Sequence, residues 1–196
     1  MEPHNFKLRN MKYNIIKKYF SFVLVLAVML LFTSCESVQD KFDKLKELAD
    51  KSFAMHNEMQ TEDASKKDLN KWVERWEELR GQMEELIDAI PEDAELPDAE
   101  MNRVTEGCQL TVGMCYVCKF GVTMKHLNDN FQTYSASDWE DNAKEIENIV
   151  SESKKDKDNG LIRDEEWTML QTLAGQYQQI ITMAATMGLG ETGQLN

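Results

Sequence analysis

Residues 107–125, GCQLTVGMCYVCKFGVTMK, admit two incompatible readings, and the choice between them sets the fold. Taken as a strand, Leu110, Val112, Met114, Tyr116, Cys118, Phe120, Val122 and Met124 alternate without a break. Taken as a helix, Met101, Val104, Cys108, Cys115, Cys118 and Val122 form a stripe, and the segment is apolar nearly all round. Strands usually run about 3–10 residues, and the fifteen from Leu110 to Met124 exceed that. No other part of the chain offers a strand to pair with. A helix apolar on every side suits the centre of a bundle, and Gly107, Gly113 and Gly121 would let neighbouring backbones approach closely. We read residues 98–128 as a buried helix; a hairpin over residues 108–124 is the alternative.

On the N-terminal side, Pro97 is well placed to start that helix, and PEDAELPD at 91–98 is a linker. Before it, Leu69, Trp72, Val73, Trp76, Leu79, Met83, Leu86, Ile87 and Ile90 trace one helical face that Pro91 stops. Ser65 to Asp68 read as its capping-box-like start. Val38, Phe42, Leu45, Leu48, Ala49, Phe53 and Met59 mark an earlier helix. On the C-terminal side, Ser137 to Glu140 read as a capping box opening a helix through Ala143, Ile146, Ile149 and Val150. A last helix runs from about Asp164 through Trp167, Leu170, Leu173, Tyr177, Ile180 and Ala184, with Gly188 and Gly190 to end it. The expectation is an all-α, antiparallel up-and-down bundle of about five helices around the central apolar one.

Farther out, Lys12, Lys17 and Lys18 precede the apolar run Tyr19 to Phe32, then Thr33, Ser34 and Cys35, after which the chain turns polar. A basic region, a short apolar region and small residues at a cut site are the grammar of an export signal. The run is short of the about 20 apolar residues that span a bilayer. This segment resembles a bacterial lipoprotein signal, with Phe32 where Leu is usual, a departure found in lipoproteins of the Bacteroidetes type. The resemblance implies cleavage before Cys35, with diacylglycerol on its thiol and an acyl chain on its freed amine (palmitate among them). Several acyl chains anchor stably where one binds marginally. A plain signal anchor or secretory signal with a chance cysteine is the alternative. YSASDWE at 134–140 and EEWTMLQTLAGQY at 165–177 are similar to small acidic helical lipoproteins of unknown function, which implies an envelope location and no activity. The division expected is a signal peptide over 1–34 and one helical domain over 35–196, with 36–64 nearest the tether. The domain would lie in the periplasm or on the cell surface, held most naturally at the outer membrane.

The chain has 22 basic and 35 acidic residues, of which the leader holds 5 and 1, leaving 17 against 34 and a net of −17 beyond it. Such a charge repels nucleic acid and anionic headgroups. A protein partner with a basic surface is the natural complement, and the oligomeric state stays open.

Two constellations could carry chemistry. DKDNGLIRDEEW, residues 156–167, resembles an EF-hand loop with one residue missing. Lys155 and Lys157 occupy the first and third ligand positions, so a calcium site would have to draw Asp156, Asp158 and Glu166 together. The competing reading is an Asn159-Gly160 turn between two helices, which expects Asp158 and Glu166 at the surface. The second constellation is Cys108, Cys115 and Cys118, with His126 beyond and His56 far upstream. On one helix Cys108 lies about 10 Å along the axis from Cys115, so thiol-redox or metal chemistry would need a partner from elsewhere. The bland reading makes the three small buried residues. His56 reads as a hydrogen-bonded core or boundary histidine, and Trp72, Trp76, Trp139 and Trp167 as packing. No nucleophile elbow, zinc-protease or phosphate-loop motif is present. The reading is therefore a lipid-anchored binding or assembly module, without catalytic residues and with no cofactor beyond the lipid at Cys35.

Overall fold

The computed structural model describes residues 37–63, 67–91, 94 and 98–187. Its helices are α1 (Val38–Thr61), α2 (Leu69–Ala89), α3 (Asp98–Asn130), α4 (Ala136–Asp158) and α5 (Asp164–Thr186), with no strand among the described residues. Residues 107–125 are helical throughout, so the hairpin alternative falls and the all-α bundle stands.

Among the described helix starts, three carry side-chain caps, two of them displaced from the sequence reading. Asp68 caps α2, accepting from the Asn70 N–H at 3.1 Å, so the cap sits three residues past Ser65. For α4 the box is Ser135 with Asp138: the Ser135 hydroxyl accepts from Asp138 N–H, and the Asp138 carboxylate accepts from Ser135 N–H at 2.8 Å. The helix thus starts two residues before Ser137, because an aspartate at the third helical position reaches back as a glutamate or glutamine would. Ser37 and Asp40 make the same box on α1. Gly160, at φ 75°, turns the chain between α4 and α5, a left-handed conformation that favours glycine.

Helix α3 is 33 residues long and touches all four others. One side joins Phe42, Leu45, Ala49, Trp72, Trp76 and Leu79 of α1 and α2 in a first core. The other side joins Ile146 and Ile149 of α4, Leu161 and Ile162 of the turn, and Leu170 of α5 in a second. Each of the three glycines on α3 admits a different neighbour. A Cβ on Gly107 would lie 2.6 Å from Ala49 Cβ of α1, one on Gly113 2.6 Å from Glu166 Cβ of α5, and one on Gly121 3.2 Å from Leu69 Cδ1 of α2.

Candidate functional site

The thiols follow from where α3 points its first-core side. Cys108, Cys115 and Cys118 are free and buried, at 3%, 1% and 0% exposure. Burial pushes each up to about 12, so all three are protonated at neutral pH and poor nucleophiles. Cys118 Sγ lies 3.8 Å from Met59 Sδ on α1. His126 sits away from them at the end of α3, its Nδ1 paired with the Tyr134 hydroxyl at 2.6 Å. His56 is half-buried and bonded to Gln60 at 3.2 Å; burial lowers it below the ordinary histidine value, with Glu166 opposing and Arg163 assisting.

The three carboxylates of the loop reading go to three different partners. Asp156 accepts from the Tyr116 hydroxyl at 2.8 Å, Asp158 from Lys154 at 2.6 Å, and Glu166 from Arg163. They do not converge on a point where calcium could sit. Among the described residues no group of three or more His, Cys, Asp or Glu is placed to hold a metal ion.

Glu166 departs from the connector reading as well. It is fully buried, where a surface position was expected. The cause is Gly113, whose missing Cβ lets the first turn of α5 lie against α3. Arg163 then spans the helix start as a fork, Nε donating to Oε2 at 2.7 Å and the terminal nitrogen to Oε1. A paired, bidentate guanidinium is what a carboxylate at zero exposure requires.

A second polar chain crosses the bundle. Arg80 of α2 donates to Glu84 at 2.8 Å and stands close enough to the Tyr116 hydroxyl of α3 to lower its pKa, and that hydroxyl donates to Asp156 of α4. Burial, then Asp156, raises Tyr116 well above the ordinary phenol value. This chain ties the two cores through α3. Neither Arg80 nor Tyr116 stood out in the sequence, because nothing in a local window says that their helices meet. Arg163 did not stand out in the sequence either, and the burial of Glu166 against it depends on contacts outside any local window.

A recess of about 540 Å³ lies between the start of α2 and the end of α3, lined by Lys67, Asp68, Asn70, Lys125, His126 and Glu145 among others. Its mixture of both charge signs selects no ligand class. Cys35, the proposed anchor, lies outside the described residues. Comparison with protein-family models, with curated proteins and with solved structures found no match to this chain.

Proposed function

We propose that this chain is a lipid-anchored cell-envelope protein whose helical domain serves binding or assembly and not catalysis. The observation that carries it is the order of basic residues, apolar run and Thr33-Ser34-Cys35 at the head of an acidic domain. Cys35 bears diacylglycerol and an N-acyl chain, and the domain stands in the periplasm or on the surface, most naturally at the outer membrane. Two features of the bundle support the reading. No described helix is long and apolar enough to cross a membrane, and the apolar run that the reading uses as its signal lies at the head of the chain. The thiols that could have served redox chemistry are packed into the first core and held as thiols. The net −17 suits a partner with a basic face and disfavours nucleic acid.

The test is metabolic labelling with a palmitate analogue in an expressing bacterium. The parent chain takes the label, and Cys35→Ala loses it and accumulates as unprocessed precursor. Label retained by Cys35→Ala would overturn the anchor. A second reading, a soft-metal site, has the Cys118–Met59 sulfur pair on its side. It requires silver(I) to quench thiol titration and raise the melting temperature in the parent but not in Met59→Leu.

A further inference from the structure

From Trp167 to Gly190 the chain has no Asp, Glu, Lys, Arg or His, a run of 24 residues in a protein with 29% charged residues. It is longer even than the apolar stretch from Tyr19 to Cys35. Most of it is α5, and only one side of α5 is used by the fold, through Leu170 and the half-buried Trp167, Leu173, Ala174, Tyr177 and Ile180. The opposite side is open and uncharged, with Thr168, Thr172, Gly175, Gln179, Thr182 and Thr186 all exposed. Met169, Met183 and Met187 flank it, and they are the only large apolar side chains exposed among the described residues. A shallow groove runs along it from Gly175 to Thr186. Gly175 has no partner in its own chain to explain it: a Cβ there would meet nothing within 4 Å. Gly81 is equally open, but it stands on α2 near exposed Glu77, Glu78 and Glu85.

We infer that this face of α5 pairs with the same face of a second copy of the chain, antiparallel, about a two-fold axis between Gly175 and Gln179. Charge selects the occupant. Two copies of a chain at −17 repel wherever acidic faces meet, and the other outer faces carry such residues, Glu47 and Asp50 on α1, Glu74 and Glu78 on α2, Glu147 and Glu152 on α4. Among the described helices only α5 offers a long surface on which two copies meet without that cost. Charge also sets direction. A parallel pair would bring Asp164 and Glu165 of both copies together, whereas the antiparallel pair keeps them about 36–39 Å apart along the axis at 1.5 Å per residue. The exposed positions 168, 172, 175, 179, 182 and 186 alternate steps of four and three, the spacing of a two-helix seam. The strip is one face of a single helix, smaller than the about 800 Å² per copy of a standard interface. Pairing is therefore weak in dilute solution and becomes effective when both copies share one membrane, which raises their effective concentration. To that extent the inference rests on the anchor proposed above.

The test is thiol cross-linking of the full chain in the envelope of an expressing bacterium, with a short bismaleimide. The parent chain gives the baseline for native cysteines. Gln179→Cys, which adds no bulk at the seam, is expected to give a homodimer band several-fold above the parent, and Glu147→Cys on α4 no excess. Adding Thr172→Lys to Gln179→Cys abolishes the band, and adding Thr182→Glu as well restores it, because positions 172 and 182 face each other only in the antiparallel pair. No excess dimer from Gln179→Cys, equal dimer from Glu147→Cys, cross-links only to other proteins, or no restoration by the double charge change would each overturn the pairing. Palmitate labelling of the same samples separates the two claims: label without dimer sinks the pairing, and dimer without label sinks the anchor.

Discussion

Toward α1 and α2, helix α3 presents Val104, Cys108, Leu110, Met114, Cys115 and Cys118. Toward α4 and α5 it presents Val112, Tyr116, Phe120 and Met124. The first set meets two tryptophans and a row of leucine, isoleucine and methionine, with no charged side chain buried among them. The second meets a smaller apolar cluster, the Arg163–Glu166 fork and the Tyr116–Asp156 bond. Buried polar atoms without a hydrogen-bond partner occur on both sides among the described residues, Trp76 Nε1 in the first core and Trp139 Nε1, Asn142 Oδ1 and the Tyr177 hydroxyl on the side of the second. Burial of apolar area is the dominant favourable term in folding, whereas buried ion pairs fix geometry at little net gain. The difference teaches a division of labour along one helix. The first core holds the bundle together, and the second sets how α4 and α5 are placed, at some cost in stability.

The largest expected effect tests the first half of that statement. Trp76 is fully buried, and Trp76→Ala should cost about 3–5 kcal/mol. Leu170→Ala, in the second core, should cost closer to 2 kcal/mol, the lower end for such a truncation. Urea unfolding of both variants reads this directly, and an equal or reversed order would erase the contrast between the cores.

Next comes the fork. Arg163→Met strands the Glu166 carboxylate at zero exposure and should cost about 3 kcal/mol. Glu166→Met should cost less, since the Arg163 side chain keeps 21% exposure and reaches water. The double change to Met at both positions should recover most of the loss, because an apolar pair of similar volume often equals a buried ion pair. Gly113→Ala attacks the same contact from α3 and should cost about 1–3 kcal/mol, since its Cβ would lie 2.6 Å from that of Glu166. Additive losses in the Met double variant would show that the fork contributes net stability.

The two-sided burial of α3 also explains why its sequence reads ambiguously. Positions two apart on a helix are about 200° apart, so a helix buried on opposite sides places alternate residues in opposite cores. Leu110, Met114 and Cys118 go to the first core, and Val112, Tyr116, Phe120 and Met124 to the second. The strand-like alternation over residues 110–124 is two interleaved i, i+4 series. Length and the want of a partner strand decided the matter correctly, and the glycines foretold close neighbours without saying which. Helix existence was legible throughout, because periodicity is local. Cap positions slipped by two or three residues, and the polar chain from Arg80 to Asp156 was invisible, because both depend on which atoms meet in space. At the loop after α4, the glycine turn was legible, and the burial of Glu166 depended on Gly113, more than fifty residues earlier.

The thiols of the first core give a pH prediction. Each titrates near 9.0 when unfolded and near 12 when folded, so the ionised form is favoured in the unfolded chain. Their contribution is fully present below pH 9 and is lost as pH rises from there toward 12, by on the order of 1 kcal/mol per thiol per pH unit. Tyr116 acts in the same direction above pH 10. Denaturation midpoints should hold steady to about pH 9 and then fall. Cys108→Ala should lower the plateau and make the alkaline fall shallower. An unchanged slope in that variant would mean that Cys108 is reached by solvent in the native state.

The smallest effect concerns the two glycines that no neighbour explains. Gly81 on α2 and Gly175 on α5 both stand in open helix, where an added Cβ would meet nothing within 4 Å. Alanine at either site fits the native backbone and restricts the unfolded chain, so each change should stabilise the isolated fold by about 0.4–1 kcal/mol. In dilute protein the two gains should match. Where copies crowd, they should part. A methyl at position 175 stands at the seam of the α5 pair and holds the helices apart, while one at 81 touches no such contact. Melting temperature against protein concentration should therefore rise less steeply for Gly175→Ala than for the parent, and in parallel with the parent for Gly81→Ala. Parallel lines for all three would leave Gly175 with no role in contact between copies, and would confine the difference between the two sides of α3 to the interior of one chain.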